Sequence, residues 1–516
     1  MKHDPIELEL FRHMLVATAG EMGIVLRRTS YSVNIKERRD YSCAVYDAAG
    51  ETIAMGDHMP VHLGAMPLSV KAVRDVISLG PGDVALVNDP FQGGTHLPDI
   101  TAVSGVFLGK SAKPAFYVAN RAHHSDVGGM SPGSMPLARE IYQEGLRLPP
   151  ILLVKGGKTD ERLMAMILAN VRTPEERRGD LLAQWMSIKR GEERLREMVD
   201  RYGLPRVQRN MAALQDYSER MMRAELARLP RDVFRFEDSL DGVDLKIRVA
   251  ITLGPRGATV DFTGTSPQAD GPVNANYAIA VSAAMYVFRC LIREDVPYNA
   301  GLLRPVEIIA PEGTLVNAKA PAAMAAGNVE TSQRITDTLL GALSKAAPGR
   351  IPAASSGTMN NISFGGWDRK RNRPFAYYET IAGGMGAFAD GDGWSAVHTH
   401  MTNSSNTPVE AFEQAYPLRI EQYGVREHSG GKGKHRGGDG IRRSYEFLEP
   451  AEVTILADRR EKGPYGLNGG EQGQPGKNIL KSKSGRRSLP GRVKFLVKAG
   501  DVVEMESPGG GGYGII

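Results

Sequence analysis

Residues 82–100 read GDVALVNDPFQGGTHLPDI. The run Asp83–Asp89 is short, rich in valine and closed by Asn-Asp-Pro, which predicts a strand ending in a turn. Gly93 and Gly94 then allow the backbone to approach a neighbour closely. His96 and Asp99 follow, three residues apart. Alone, this His-x-x-Asp is either half of a metal site or a capped turn with polar decoration. ITAVSGVFL (100–108) and PAFYVANRAHH (114–124) read as two more strands around a GKSAK turn. The stretch therefore sits at the end of a sheet. Upstream, SCAVYDAAGETIAM (42–55) has the form of a hairpin. Residues 5–28 and 66–78 carry helical apolar spacing.

Farther along, residues 159–229 are charged, glycine-poor and helix-periodic, with Gly203-Leu204-Pro205 as a break. Strands return in FRFEDSL, DLKIRVAITLG and GATVDFTGTS, followed by an apolar helix over 274–292. Glycine-rich loops then run to the closing SPGGGGYGII. The expected fold class is α+β, multi-subdomain, with mixed β-sheets, a long helical insertion and a glycine-rich β C-terminal region. The expected divisions are 1–155, an α+β region with the proposed metal site; 156–230, helical; 231–420, central α+β; and 421–516, glycine-rich β.

Composition narrows the function classes. The 64 basic and 59 acidic residues nearly balance over 516 positions, leaving a net charge of +5. Nothing there argues for nucleic acid, and the basic patches at 435–443 and 481–487 lack interleaved aromatics. Cys43 and Cys290 are the only cysteines, too few for a disulfide framework or a thiolate zinc site. No apolar run has membrane-spanning length, so no membrane association and a cytoplasmic location are expected. Nucleotide motifs fail: Gly470–Asn478 has five residues where a P-loop needs four, and ends in Asn.

The chemistry concentrates in Ala122-His123-His124-Ser125-Asp126. Side chains alternate along a strand, so His123 and His124 point to opposite faces, and only one can join His96 and Asp99. Two neutral imidazoles and a carboxylate suit Zn²⁺, Mn²⁺ or Fe²⁺ and leave coordination positions open. His58 and His62 either line the same site or are hydrogen-bonded structural histidines. Glu37-Arg38-Arg39-Asp40, before the first hairpin, has the charges of a buried ion-pair network. The polar run Thr399–Glu410 has groups able to bind a substrate amide, and equally the composition of an ordinary loop.

These stretches together resemble the hydantoinase B/oxoprolinase family. The motifs are RRTSYSVNIKERRDYSCAVYD (27–47), HMPVHLGAMP (58–67), GDVALVNDPFQGGTHLPDI (82–100), ANRAHHSDVGG (119–129), AAGNVETSQRI (325–335), YETIAGGMGA (378–387), THMTNSSNTPVE (399–410) and SPGGGGYG (507–514). The resemblance implies a hetero-oligomer. In it a hydantoinase A-type subunit uses ATP with Mg²⁺ to phosphorylate a cyclic amide substrate, and this B-type chain supplies a divalent metal site. It implies His96, Asp99 and His123 as metal ligands, with His124 still open as the alternative to His123. It also implies Asp126 and His124 as proton-handling candidates. The leading activity is opening of a hydantoin, 5-oxoproline or related lactam ring. The alternatives are a subunit of an ATP-dependent ketone carboxylase and a non-catalytic scaffold.

Overall fold

The computed structural model describes residues 4–56, 58–242 and 244–516. The chain begins with helix α1 (Pro5–Thr29), started by the Asp4 side chain accepting from the Ile6 amide, with Pro5 in the first turn. A seven-stranded antiparallel sheet follows, made of β1 (Tyr41–Tyr46), β2 (Thr52–Met55), β3 (Val84–Val87), β4 (Asp99–Val106), β5 (Phe116–His123), β6 (Ile151–Lys155) and β7 (Lys158–Thr159). Its spatial order is β2-β1-β5-β4-β3-β6-β7. The hairpin and the three strands read from the sequence for this sheet are present, each within two residues of its expected ends.

This sheet is buried on both faces, and alternation sends its side chains into two separate cores. Cys43, Val45, Ala102, Val118 and Ala122 enter one core, together with Phe11, Leu15, Met22 and Leu26 of α1. Ala44, Tyr46, Val103 and Ala119 enter the other. The helical stretch forms Glu161–Ala169, Pro174–Tyr202 and Leu204–Leu226, with Gly203 capping the second helix. Leu181, Ile188 and Leu195 of Pro174–Tyr202 belong to the same core as α1. The helical segment is thus a cover for the first sheet, sharing its core.

Beyond it, Val233–Ser239, Lys246–Gly254, Gly257–Asp261 and Val306–Ile309 form a four-stranded sheet. The helices Tyr277–Leu291 and Ser332–Ala346 fill the space between this sheet and the first, through Ile279, Ala283, Val287, Ile335 and Leu339. Two further sheets share a third core around Phe364, Phe412, Tyr445 and Val453. In one of them, Asn361–Asp368 pairs with both Arg373–Glu379 and Ala451–Leu456, so strands on either side of residue 420 lie in one sheet. No helix among the described residues is long and apolar enough to cross a membrane.

The glycine-rich tail is a close-packing device. Gly510, Gly511 and Gly512 donate to the carbonyls of Gly438, Ala354 and Glu471 at 2.8–2.9 Å, threading the tail between three loops. A Cβ on Gly510 would sit 2.0 Å from the Met385 carbonyl oxygen, and one on Gly511 would sit 2.0 Å from that of Tyr465. Backbone cannot yield as a flexible side chain can. Gly510→Ala should therefore cost more than ~2 kcal/mol. Gly424, with nothing within 4 Å of its Cβ position, should tolerate alanine to within ~0.5 kcal/mol. Denaturant unfolding compares the two, and equal midpoints would refute this account of the tail.

Glu144 ties the first sheet's loops to the segment before residue 327. One carboxyl oxygen accepts from the Met324 and Ala325 amides at 2.7 and 2.8 Å, while the other is buried without a partner. Burial raises its carboxyl from 4.5 to about 8, against the lowering effect of the two amides. The folded state therefore holds this proton more tightly than the unfolded chain. The resulting stability is complete below about 4.5 and lost as pH rises through about 8. Glu144→Gln should flatten the decline in unfolding free energy over that window. An unchanged pH profile in the variant would count against a protonated Glu144.

Candidate metal centre

The antiparallel register of β4 and β5 places Asp99 directly opposite His123. Cross-strand partners lie on one face of a sheet. Asp99, Thr101 and Val103 therefore point the same way as His123, Arg121 and Ala119, into the core shared with the second sheet. The turn before β4, in which the Asp99 amide donates to the His96 carbonyl at 3.1 Å, swings His96 onto that face. Gly94 makes the turn possible, because a Cβ there would lie 2.2 Å from the Asn88 carbonyl oxygen.

The three side chains converge on one carboxylate oxygen. Asp99 Oδ1 lies 3.2 Å from His96 Nε2 and 3.4 Å from His123 Nδ1. Its other oxygen, Oδ2, is held by the Thr95 hydroxyl at 3.1 Å, the Asn328 amide at 3.4 Å and His62 Nε2 at 3.2 Å. His62, His96, Asp99 and His123 are each no more than 2% exposed. Asp99 Oδ1 itself has no hydrogen-bond donor, an expensive condition for a buried anion unless a cation shares the site.

The spacing suits such a cation. Ligands about 2.0–2.2 Å from a tetrahedral ion stand about 3.3 Å apart, which is the separation found between Asp99 Oδ1 and the two imidazole nitrogens. Suitable donor atoms of His96, Asp99 and His123 all lie within 4.8 Å of one another. Burial raises the Asp99 carboxyl, but the charges of the neighbouring His96 and His62 and the close imidazoles of His123 and His62 bring it well below the usual range. Burial lowers His123, opposed by the adjacent Asp99 and Asp40 carboxylates. The result is an ionised carboxylate beside a neutral imidazole, the protonation states metal binding requires.

Surrounding residues fix these ligands. The ring of Tyr378 stacks on His123 at 4.3 Å between centroids and 15° between planes. The Tyr378 hydroxyl donates to Asn361 Oδ1 at 2.7 Å. The guanidinium of Arg38 lies over the other part of this stack, 5.1 Å from the Tyr378 ring. Asn328 comes from a single π-helical turn, Gly327–Thr331, and its amide also reaches His96 Nε2 at 3.1 Å. Local π-helical turns recur where a side chain must be re-aimed into a site. Arg121, fully buried, donates to Thr101, Thr95 and Ser69 and so anchors the Thr95 hydroxyl that holds Asp99.

The remaining candidates are placed elsewhere. His124 points to the opposite face of β5, where its Nε2 lies 3.0 Å from Gln184 Oε1 on the helix Pro174–Tyr202. Burial and the nearby Arg177 lower it to about 4. Asp126 turns away after the strand ends. It accepts from the amides of Gly128, Gly133 and Arg172 and pairs with the Arg172 guanidinium at 3.0 Å. It is a loop anchor, and neither it nor His124 reaches the cluster. His58, lowered to about 4 by burial and by His62, donates nothing to the cluster and accepts from the Cys43 amide. His62 and Asn328 both reach Asp99 Oδ2, contacts that their sequence neighbourhoods do not reveal. Asp40 does more than its ion-pair pattern suggests, because its carbonyl accepts from the His123 amide at 3.0 Å.

Comparison with known proteins places the chain in a family. The Hydantoinase B/oxoprolinase profile covers residues 4–515. The chain is 40% identical to 5-oxoprolinase 1 of Arabidopsis thaliana over 99% of its own length, but spans only 42% of that longer protein. It is 32% identical to a protein of Pseudomonas sp. (strain NS671) named as the B component of a D-/L-hydantoinase, covering 99% of this chain and 90% of that one. Among solved structures, the ATP-dependent caprolactamase from Pseudomonas jessenii superposes with a TM-score of 0.93 at 29% identity, over 100% of this chain and 92% of that chain. The chain belongs to the Hydantoinase B/oxoprolinase family.

Proposed function

We propose that this chain is the B-type subunit of an ATP-dependent amidohydrolase that opens a hydantoin, 5-oxoproline or related lactam ring. In this reading His96, Asp99 and His123 hold its divalent metal ion, and a hydantoinase A-type subunit is its partner. The observation that carries it is the donor-free Asp99 Oδ1 flanked at 3.2 and 3.4 Å by two buried imidazoles. The names of its relatives supply the substrate class and the ATP dependence. A ring amide is resonance-stabilised, so phosphorylation of its carbonyl oxygen by the partner would create a competent electrophile.

A zinc, manganese or iron ion, when bound, supplies Lewis acidity and lowers the pKa of water toward neutrality. The chain's own residues set the conditions for this. Thr95, Asn328 and His62 occupy Asp99 Oδ2 and leave Oδ1 directed between the two histidines. The Tyr378 ring fixes the plane of His123. Full burial excludes bulk water and strengthens every charge interaction at the site.

Metal analysis of the purified chain tests the assignment. His96→Ala and Asp99→Ala should each abolish stoichiometric metal, whereas His124→Gln and Asp126→Asn should retain it. Even loss of a group that merely orients a ligand typically costs about 10–100-fold in affinity or activity, so Asn328→Ala should weaken metal without abolishing it. Full metal content in both ligand variants would rule out this centre. In the complex with its A-type partner, ATP-dependent ring opening should fall with metal content. Bicarbonate incorporation without ring opening would replace the hydrolase reading with a carboxylase.

A further inference from the structure

A cavity of about 670 Å³, separate from the metal cluster, opens between the helix Tyr277–Leu291 and the segment around residues 396–404. That volume suits a small organic ligand. Leu340, Ile351, Met385 and Val397 give it apolar walls, and Trp394 stands among its lining residues while 70% exposed. Two imidazole nitrogens of its lining residues are buried without a hydrogen bond, His398 Nε2 and His400 Nε2; the second lies 3.8 Å from the Asp337 carboxylate, whereas His398 has only the Thr402 hydroxyl, 3.5 Å from its Nδ1. Burial, reinforced by Arg38, lowers His398 to about 4, so it presents a neutral imidazole.

The backbone is bent to place this histidine. Ala396 and His400, two residues to either side, both adopt left-handed φ, at 57° and 58°. Such conformations in non-glycine residues are strained and concentrate at binding sites. Val397 and Gly383 exchange backbone hydrogen bonds of 2.9 and 3.1 Å that hold the bend. Charge is arranged selectively. Among the described lining residues the single cation is Arg350, already committed to the Leu291 carbonyl at 2.7 Å and the Glu225 carboxylate at 2.6 Å. A ligand carboxylate would find no free counter-charge there.

The cavity also adjoins the proposed centre. Ser404 lines it and contacts Arg38 at 3.4 Å, Arg38 lies over Tyr378, and Tyr378 stacks on His123. Pro60, another lining residue, begins the short helix that carries His62. We propose that this cavity receives the ring of a neutral cyclic amide, hydrogen-bonded to His398 Nε2, and disfavours a ring that bears a free carboxylate. The proposal rests on the amidohydrolase reading and narrows its substrate class.

Cys290 supplies a probe in the native chain. It is exposed and lines the cavity; partial desolvation raises its thiol too, against the hydrogen bond with Tyr286 and the nearby Arg289, but reagent can reach it, whereas the other cysteine, Cys43, is fully buried with its thiol raised to about 12. Alkylation at mildly alkaline pH should therefore modify Cys290 alone, and Cys290→Ser should abolish labelling. Added 2-pyrrolidone should slow this alkylation saturably. 5-Oxoproline, the same ring with a carboxylate, should protect markedly less at equal concentration. His398→Ala should raise the half-protecting concentration of 2-pyrrolidone about tenfold, the loss of one hydrogen bond. No protection by 2-pyrrolidone, or equal protection by 5-oxoproline, would overturn the proposal. Protection by 2-pyrrolidone in a complex that opens no ring with ATP would leave the cavity assignment standing and remove the hydrolase reading.

Discussion

The architecture around the candidate metal centre answers one demand, that of a carboxylate, Asp99, sealed from water. Moving an ion of this kind into a low-dielectric interior costs several kcal/mol even after relaxation, and only specific partners offset it. Those partners come from widely separated segments: Thr95 and His96 from the preceding turn, His62 from a short helix, His123 from the adjacent strand and Asn328 from a π-helical turn. Arg121 adds a buried positive charge nearby, which favours the ionised form of Asp99 while Asp99 keeps Arg121 charged against its own burial. Each segment must be delivered by a different part of the fold. The packing of the first sheet against Tyr277–Leu291 and Ser332–Ala346 is thus also the geometry of the site.

Strand parity explains which parts of this are legible in the sequence. The alternation of PAFYVANRAHH shows that His123 and His124 must face opposite sides. It does not reveal which of them shares Asp99's side, because that depends on the β4–β5 register. The register pairs Asp99 with His123 and commits His124 to the helix bearing Gln184. Asp126 owes its candidacy to its place in the His-His-Ser-Asp run. Beyond His123 the strand has ended, parity no longer applies, and the amides of Gly128 and Gly133 claim its carboxylate. Asn328 lies 229 residues from Asp99. No local periodicity connects such positions, and within AAGNVETSQRI nothing sets Asn328 apart from its polar neighbours.

The C-terminal glycines illustrate the same limit. Their abundance signals close backbone approaches, and the structure contains them. What composition cannot convey is that the tail's neighbours come from loops at 354, 385, 438, 465 and 471, all separated from it by at least one strand. Glycine is required there by the partner backbone rather than by its own conformation. Gly510, Gly511 and Gly512 have no unusual φ, yet a Cβ on each would lie 2.0–2.1 Å from a carbonyl oxygen. The tail thereby locks the loops near the cavity, since Met385 and the Gly383–Val397 pairing belong to the same packed layer.

Electrostatics separates the cavity from the cluster under the proposed function. Around His398 the polar lining is neutral and its cation is spent, which suits a ring amide before it acquires charge. At the cluster, one ionised carboxylate and neutral imidazoles facing a divalent ion would leave net positive charge, which suits an anionic phosphorylated ring or a developing oxyanion. Arg38 stands between the two, donating to Thr380 at 2.6 Å and to the Tyr378 carbonyl at 3.0 Å, with Asp40 at 3.8 Å. A ring moving from the cavity to the cluster would leave a neutral lining for one that attracts anions, and Arg38 lies along that boundary. Phosphorylation would then serve two purposes: it activates the carbonyl, and it gives the substrate the charge that the cluster, unlike the cavity, favours.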